Sequence, residues 1–127
     1  MSTIDITPTA KTPSITLNSE KGVLEIKGRS IPENSIEFYK PLLDKLAEYE
    51  SNGGKAITTN IYLEYFNTSS SKCLLDVFKK LENIQKKGGQ VTVNWYYEED
   101  DEDMQEAGED YKAILQLPFN INKIDAN

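Results

Sequence analysis

Hydrophobic and polar positions change period several times along the chain, and each change marks an element. In "SITLNSEKGVLEIKGRS", Ile15 and Leu17 alternate with polar neighbours, and Leu24 and Ile26 repeat that period of two, with Val23 and Glu25 on the other side. "SEKG" between the two runs supplies a turn, so the pattern predicts a β-hairpin. "IPENSIEFYKPLLDKLAEYESNGG" then switches to helical spacing, with Tyr39, Leu42, Leu43, Leu46 and Ala47 forming one stripe. Asn34 or Ser35 is placed to cap it. Pro41 fits only a first turn or a kink, so the regular helix is expected to begin near Lys40 and to stop at Gly53 and Gly54.

"KAITTNIYLEYF" is rich in β-branched and aromatic residues and reads as a central strand. Cys73, Leu74, Val77, Phe78, Leu81 and Ile84 make the apolar face of a second helix over Ser70–Lys87. Lys86 and Lys87 complement its dipole, and Gly88 and Gly89 end it. "QVTVNWYYE" is another strand. A third helix follows, with Met104, Ala107, Tyr111, Ile114 and Leu115 spaced for burial, and "LPFNINKI" reads as a short edge strand after Pro118.

The predicted order is β-β-α-β-α-β-α, with a last β. Helices between strands imply parallel neighbours, so the expected class is α/β (α+β): one small mixed sheet with flanking helices, the strands Ile57–Phe66 and Val91–Tyr97 central. Residues 1–12, rich in Thr and Pro, are expected to be flexible, and 13–127 to form one domain. There is no internal repeat and no linker.

Charge narrows the function classes. The chain carries a net −7, and Glu98 to Asp110 holds nine acidic residues and no basic one. An acidic chain without a basic arm argues against nucleic-acid binding. No apolar run is long enough for a bilayer, the start lacks the pattern of a secretory signal, and the single cysteine, Cys73, points to a reducing cytoplasm. There is no histidine, which removes histidine-based triads, dyads and metal sites. No cofactor is expected.

The chemistry concentrates at one joint. "YFNTSSSKCLLDVFKKLE" passes from strand to helix through Thr68, Ser69, Ser70 and Ser71. On the plain structural view, Asn67 or Thr68 caps the helix and the serines fill its first turn. On the functional view, the joint is a phosphorylation site, because unpaired N–H groups and the positive dipole end favour a phosphate. A phosphate-binding loop is the rival; without glycine in "NTSSSK" it fails, although Lys72 follows as such a lysine would. Asp101 and Asp103 have calcium-loop spacing, but Glu106 stands where that loop needs glycine, and a solvated helix start explains the acids better. Cys73 fits a small core residue, Trp95, Tyr96 and Tyr97 fit sheet packing, and Lys79, Lys80, Lys86 and Lys87 fit a solvent face.

"IPENSIEFY" (Ile31 to Tyr39), "YFNTSSSK" (Tyr65 to Lys72) and "VNWYYEEDDEDMQEAGEDY" (Val93 to Tyr111) resemble, in the same order, the SiaC family of bacterial regulatory phosphoproteins. The resemblance runs from about Thr12 to Ile124. It implies a fold related to the STAS domains of anti-anti-sigma factors. It also implies a partner switch without catalysis of its own. A histidine-kinase-like Ser/Thr kinase would phosphorylate the chain and a metal-dependent phosphatase would reset it. The unphosphorylated form would bind and activate a GGDEF diguanylate cyclase, raising cyclic di-GMP and promoting biofilm. The family's phosphorylated threonine falls on Thr68, with Ser69 and Ser70 as alternates; Asn67, Ser69, Ser70 and Lys72 would join Thr68 in partner binding. Two other classes stay open: a constitutive interaction module using the acidic helix or an exposed apolar face, and a small enzyme using carboxylates or Lys72.

Overall fold

The computed structural model describes residues 3–125; positions 1–2 of the expected flexible start and 126–127 at the end of the expected domain lie outside the described residues. The elements are β1 (Ile4–Ile6), β2 (Ser14–Asn18), β3 (Val23–Ser30), α1 (Ser35–Ser51), β4 (Ala56–Phe66), α2 (Thr68–Lys86), β5 (Gln90–Glu98), α3 (Glu102–Ile114) and β6 (Phe119–Ile124). All strands join one six-stranded sheet in sequential order. β2 runs antiparallel to both of its neighbours, β1 and β3, with Ile15 opposite Ile26 and Leu17 opposite Leu24 in the predicted hairpin. β3 to β6 run parallel, so each of their connections is a helical crossover.

Every crossover advances one strand in the same direction. Right-handed connection therefore places all three helices on one face of the sheet. Burial follows this parity. Ile15, Leu17, Leu24, Ile26, Ile57, Ile61, Leu63, Val91, Val93 and Trp95 are buried beneath the helices. The opposite face carries Thr16, Glu25, Thr58, Asn60, Thr92 and Asn94 in neighbouring registers, all exposed or half-buried. There an amide ladder links Asn120 to Asn94 and Asn94 to Asn60, at 3.1 and 3.0 Å, and Tyr62 stacks on Tyr96.

α2 is the middle helix, and its predicted stripe is buried throughout: Cys73, Leu74, Val77, Phe78, Leu81 and Ile84. Phe78 meets Tyr111 and Phe119 edge-on, at ring-centre distances of 5.0 and 5.6 Å, and lies 6.5 Å from Trp95. α3 closes on the same cluster through Gly108. A Cβ there would lie 2.5 Å from Trp95 Cδ1, so only glycine lets the helix rest against the indole. The Trp95 Nε1–H donates to the carbonyl of Met104 at 3.0 Å.

Four expectations are corrected. Residues 4–6, read as part of a flexible start, form an edge strand, Ile4 facing Leu17 and Ile6 facing Ile15. α1 begins at Ser35 rather than near Lys40, and Pro41 lies inside it. Proline deprives the Glu37 carbonyl of its helical partner, but both residues are exposed, so water reaches that carbonyl while Tyr39, Leu42, Leu46 and Tyr49 bury the other face. α2 begins at Thr68 rather than Ser70. Ile114, spaced for burial, is 59% exposed, because α3 ends there and Leu115 turns in instead.

Glu82 fastens the α3–β6 connection. Its buried carboxylate accepts the Gln116 N–H at 2.6 Å and pairs with Lys79 at 3.3 Å. The Gln116 N–H outweighs the cost of burial and, with Lys79, holds the carboxyl below the usual glutamate range.

Two outcomes are expected. Phe78→Ala removes a fully buried ring and costs about 3–5 kcal/mol by urea unfolding; a loss below about 1 kcal/mol contradicts this packing. Because the folded-state pKa of Glu82 is depressed, its contribution is complete above the unfolded value, near 4.3, and fades as pH falls through the folded value. The stability advantage of the native chain over Glu82→Gln therefore shrinks from pH 6 to pH 3, measured by denaturant midpoints. An advantage that grows on acidification contradicts the assigned role.

Candidate functional site

The parallel strands end, and their helices begin, along one edge of the sheet. A bulge sets the phase there. Between Gly28 and Arg29 the register of β3 on β4 slips, so Gly28 faces Leu63 but Arg29 faces Tyr65, leaving Glu64 as the extra residue. The slip exchanges the faces of the last two residues of β4. Tyr65 turns outward, 52% exposed, and Phe66 turns in against Trp95, with ring centres 5.9 Å apart. Asn67 follows in extended conformation and caps α2, its Oδ1 accepting the Ser70 N–H at 2.9 Å.

The hydroxyl run then divides by helical direction. Ser70 points inward and is fully buried. Its Oγ donates to the Ser30 carbonyl at 3.0 Å and accepts from Ser30 Oγ at 2.8 Å. Ser30 Oγ, its proton so committed, accepts the phenol proton of Tyr39 at 2.5 Å. Burial pushes the Tyr39 pKa up to about 12, which keeps the phenol a donor. The Ser30 carbonyl also accepts the Asn67 N–H at 3.0 Å. β3, α1 and α2 are thus tied through one buried serine.

Ser69 turns toward α1. Its Oγ meets Ser35 Oγ at 2.7 Å and donates to Asn67 Oδ1 at 3.2 Å. Ser35 is the first residue of α1, which Asn34 caps by accepting the Glu37 N–H at 3.1 Å. The starts of two helices therefore adjoin, with Ile36 beside them 77% exposed. Ser71 faces α3, and its carbonyl accepts the Tyr111 hydroxyl at 2.8 Å. Lys72 is exposed one turn after Thr68.

Thr68 differs from its neighbours. It is exposed, it is the first residue of α2, and among the described residues its hydroxyl has no hydrogen-bond partner. Capping engages the N–H groups of Ser70 and Ser71, so the helix-start N–H groups of Thr68 and Ser69 face solvent. Of the predicted residues, Asn67, Thr68, Ser69 and Lys72 share this surface. Ser70 does not; its burial and its bonds to Ser30 place it in the framework, contrary to its expected part as alternate acceptor and contact. Ser30, Ser35 and Tyr39 were missed as site residues. Only their small-polar or tyrosine character within otherwise apolar patterns marked them. Other candidates resolve simply. Cys73 is buried, with its thiol pushed up by that burial, and Asp101 caps α3 by accepting the Met104 N–H at 3.0 Å. No helix among the described residues is long and apolar enough to cross a membrane.

The structure is thus a small α/β domain that presents a capped, hydroxyl-rich helix start where its parallel strands end. A family model for the SiaC family regulatory phosphoprotein matches residues 6–124, and the chain belongs to that family. It is 31% identical over 125 residues to an uncharacterized protein of Pseudomonas aeruginosa strain UCBPP-PA14, covering 98% of this chain and 99% of the relative. Its fold matches SiaC of Pseudomonas aeruginosa with a TM-score of 0.91 at 30% identity, over 98% of this chain and 100% of the other. It equally matches, with a TM-score of 0.91 and 30% identity, a chain in the crystal structure of the diguanylate cyclase SiaD in complex with its activator SiaC, over 95% and 99% of the two chains.

The buried hydroxyl network generates one prediction. Ser70→Ala leaves Ser30 with an unmet donor and costs about 1–3 kcal/mol. Thr68→Ala, touching neither cap nor network, stays within about 0.5 kcal/mol of the native chain. Thermal melts of the two variants test the contrast, and equal losses contradict it.

Proposed function

We propose that this chain is a cytoplasmic partner switch that catalyses nothing itself. In its unmodified form it binds and activates a GGDEF diguanylate cyclase. Phosphorylation of Thr68 by a histidine-kinase-like Ser/Thr kinase blocks that binding, and a metal-dependent phosphatase restores it. The observation that carries the proposal is that Thr68 is the exposed hydroxyl of the run with no hydrogen-bond partner, set at the positive end of a helix. Family membership and the activator role of SiaC toward SiaD support the output side.

The geometry suits a modification that leaves the fold alone. A phosphate on Thr68 adds about −1.5 to −2 charges beside open N–H groups of α2. Lys72, four residues on, shares that side of the helix and can answer the charge. The phosphate is therefore stabilised within the chain and breaks no core contact. A partner fitted to the neutral hydroxyl must instead strip the phosphate of water, and an uncompensated charge at an interface costs several kcal/mol, about a hundredfold or more in affinity.

After incubation with a cognate histidine-kinase-like Ser/Thr kinase, mass spectrometry is expected to find the phosphate on Thr68, with an unchanged melting temperature. Cyclase affinity is expected to fall about a hundredfold with phosphate and by less with Thr68→Glu, which adds one charge rather than nearly two. Thr68→Ala is expected to bind constitutively. Phosphate found only outside Thr68–Ser71, or equal affinity of both forms, would falsify the switch.

A further inference from the structure

On the α3 side of Thr68 lies a cleft between the start of α2 and the acidic helix. It consists of two cavities, about 290 and 170 Å³, that share Phe66 and Ala107 as their common floor. Tyr111 and Ile114 extend one cavity, and Met104 extends the other. Its apolar lips are unpaired: Ile114 is 59% exposed and Tyr65 is 52% exposed. Its rim carries Asp101, Asp103 and Asp110, none in an ion pair among the described residues, within the segment Glu98 to Asp110 that has no basic residue.

We propose that this cleft is the docking site for a basic amphipathic helix of a protein partner. Two adjoining cavities that share an apolar floor offer places for two apolar side chains, such as an amphipathic helix presents along one face. Carboxylates around the cleft select lysine or arginine on the flanks of that helix, and they disfavour acidic partners and anionic lipid. A second copy of this chain does not supply the occupant from its most basic helix, because the apolar stripe of α2 is already buried in its own core. The proposal goes beyond the Thr68 switch and does not require Thr68 to be modified. The two surfaces are continuous, since Ser71 lines the cleft and Thr68 stands three residues earlier on the same side of α2.

The test uses the unmodified full chain, labelled for NMR, with three synthetic helical peptides: leucine with lysine, leucine with glutamate, and serine with lysine in the same pattern. The leucine–lysine peptide is expected to shift the signals of Phe66, Ala107, Asp110 and Ile114. Its binding is expected to weaken with salt, and to weaken about tenfold or more in Ile114→Lys and in Asp110→Lys, two exposed substitutions whose melting curves verify the fold. The other two peptides are expected to bind far more weakly. Shifts centred on the Tyr62–Tyr96 face or on Ile36, equal binding of the leucine–glutamate peptide, or no shifts at millimolar peptide would overturn the assignment. None of these outcomes depends on Thr68 phosphorylation, so the fate of the switch and that of the cleft are read separately.

Discussion

The handedness of the parallel crossovers is the constraint from which the remaining architecture follows. Each of α1, α2 and α3 joins one strand to its immediate neighbour in the same direction across the sheet. Right-handed connection then leaves no choice of side, and all three helices cover one face. The buried parity of each strand is thereby fixed, and so is the polar character of the opposite face. The same rule brings every helix start to the edge where the parallel strands end. A site made from the starts of α1 and α2 is therefore a consequence of topology, refined by side chains rather than created by them.

Ser30 is where topology becomes chemistry. It ends β3, and its carbonyl holds the Asn67 N–H and the Ser70 hydroxyl while its own hydroxyl joins Tyr39 to Ser70. A polar cluster in a dry site is stabilising only when each donor and acceptor is met, and here the chain of bonds is closed. The four hydroxyls consequently have separate tasks. Ser70 is structural, Ser69 joins the two helix starts, Ser71 faces α3 through its backbone, and Thr68 stands in water. A run that looks redundant in one dimension is sorted by the hundred-degree step of a helix into different environments.

Long periodic segments made much of this legible. The hairpin, the central strand and the α2 stripe follow from alternation or helical spacing alone, and the strand-to-helix joint locates Thr68. What remained hidden had weak local signals or depended on distant contacts. "IDI" is too short to announce a strand, and β1 exists because β2 offers it an edge. Pro41 argued for a late helix start, but tertiary burial of Tyr39 and Leu42 overrode it. Nothing in the sequence marked Gly108, whose missing side chain is explained by the Trp95 ring beneath it. Ser70 could not be told from Thr68 without knowing which direction the helix faced. Nothing local foretold the slip at Gly28 and Arg29 that turns Phe66 inward.

The same separation is what the proposed switch requires, a surface signal read without refolding. The residues that hold the joint are buried and uncharged: Ser30, Tyr39 and Ser70. The groups a partner can sense are exposed: Thr68, Lys72, Ile36 and the carboxylates beyond Tyr65. A charge added among the exposed groups is solvated and screened within about 8–10 Å at physiological salt, so it barely perturbs the framework. Once a partner excludes that water, the same charge is no longer screened, and its full desolvation cost falls on the complex. On the proposed switch, the difference between those two environments is the free energy available, and it depends on the Thr68 hydroxyl standing outside the network that bonds those of Ser69 and Ser70.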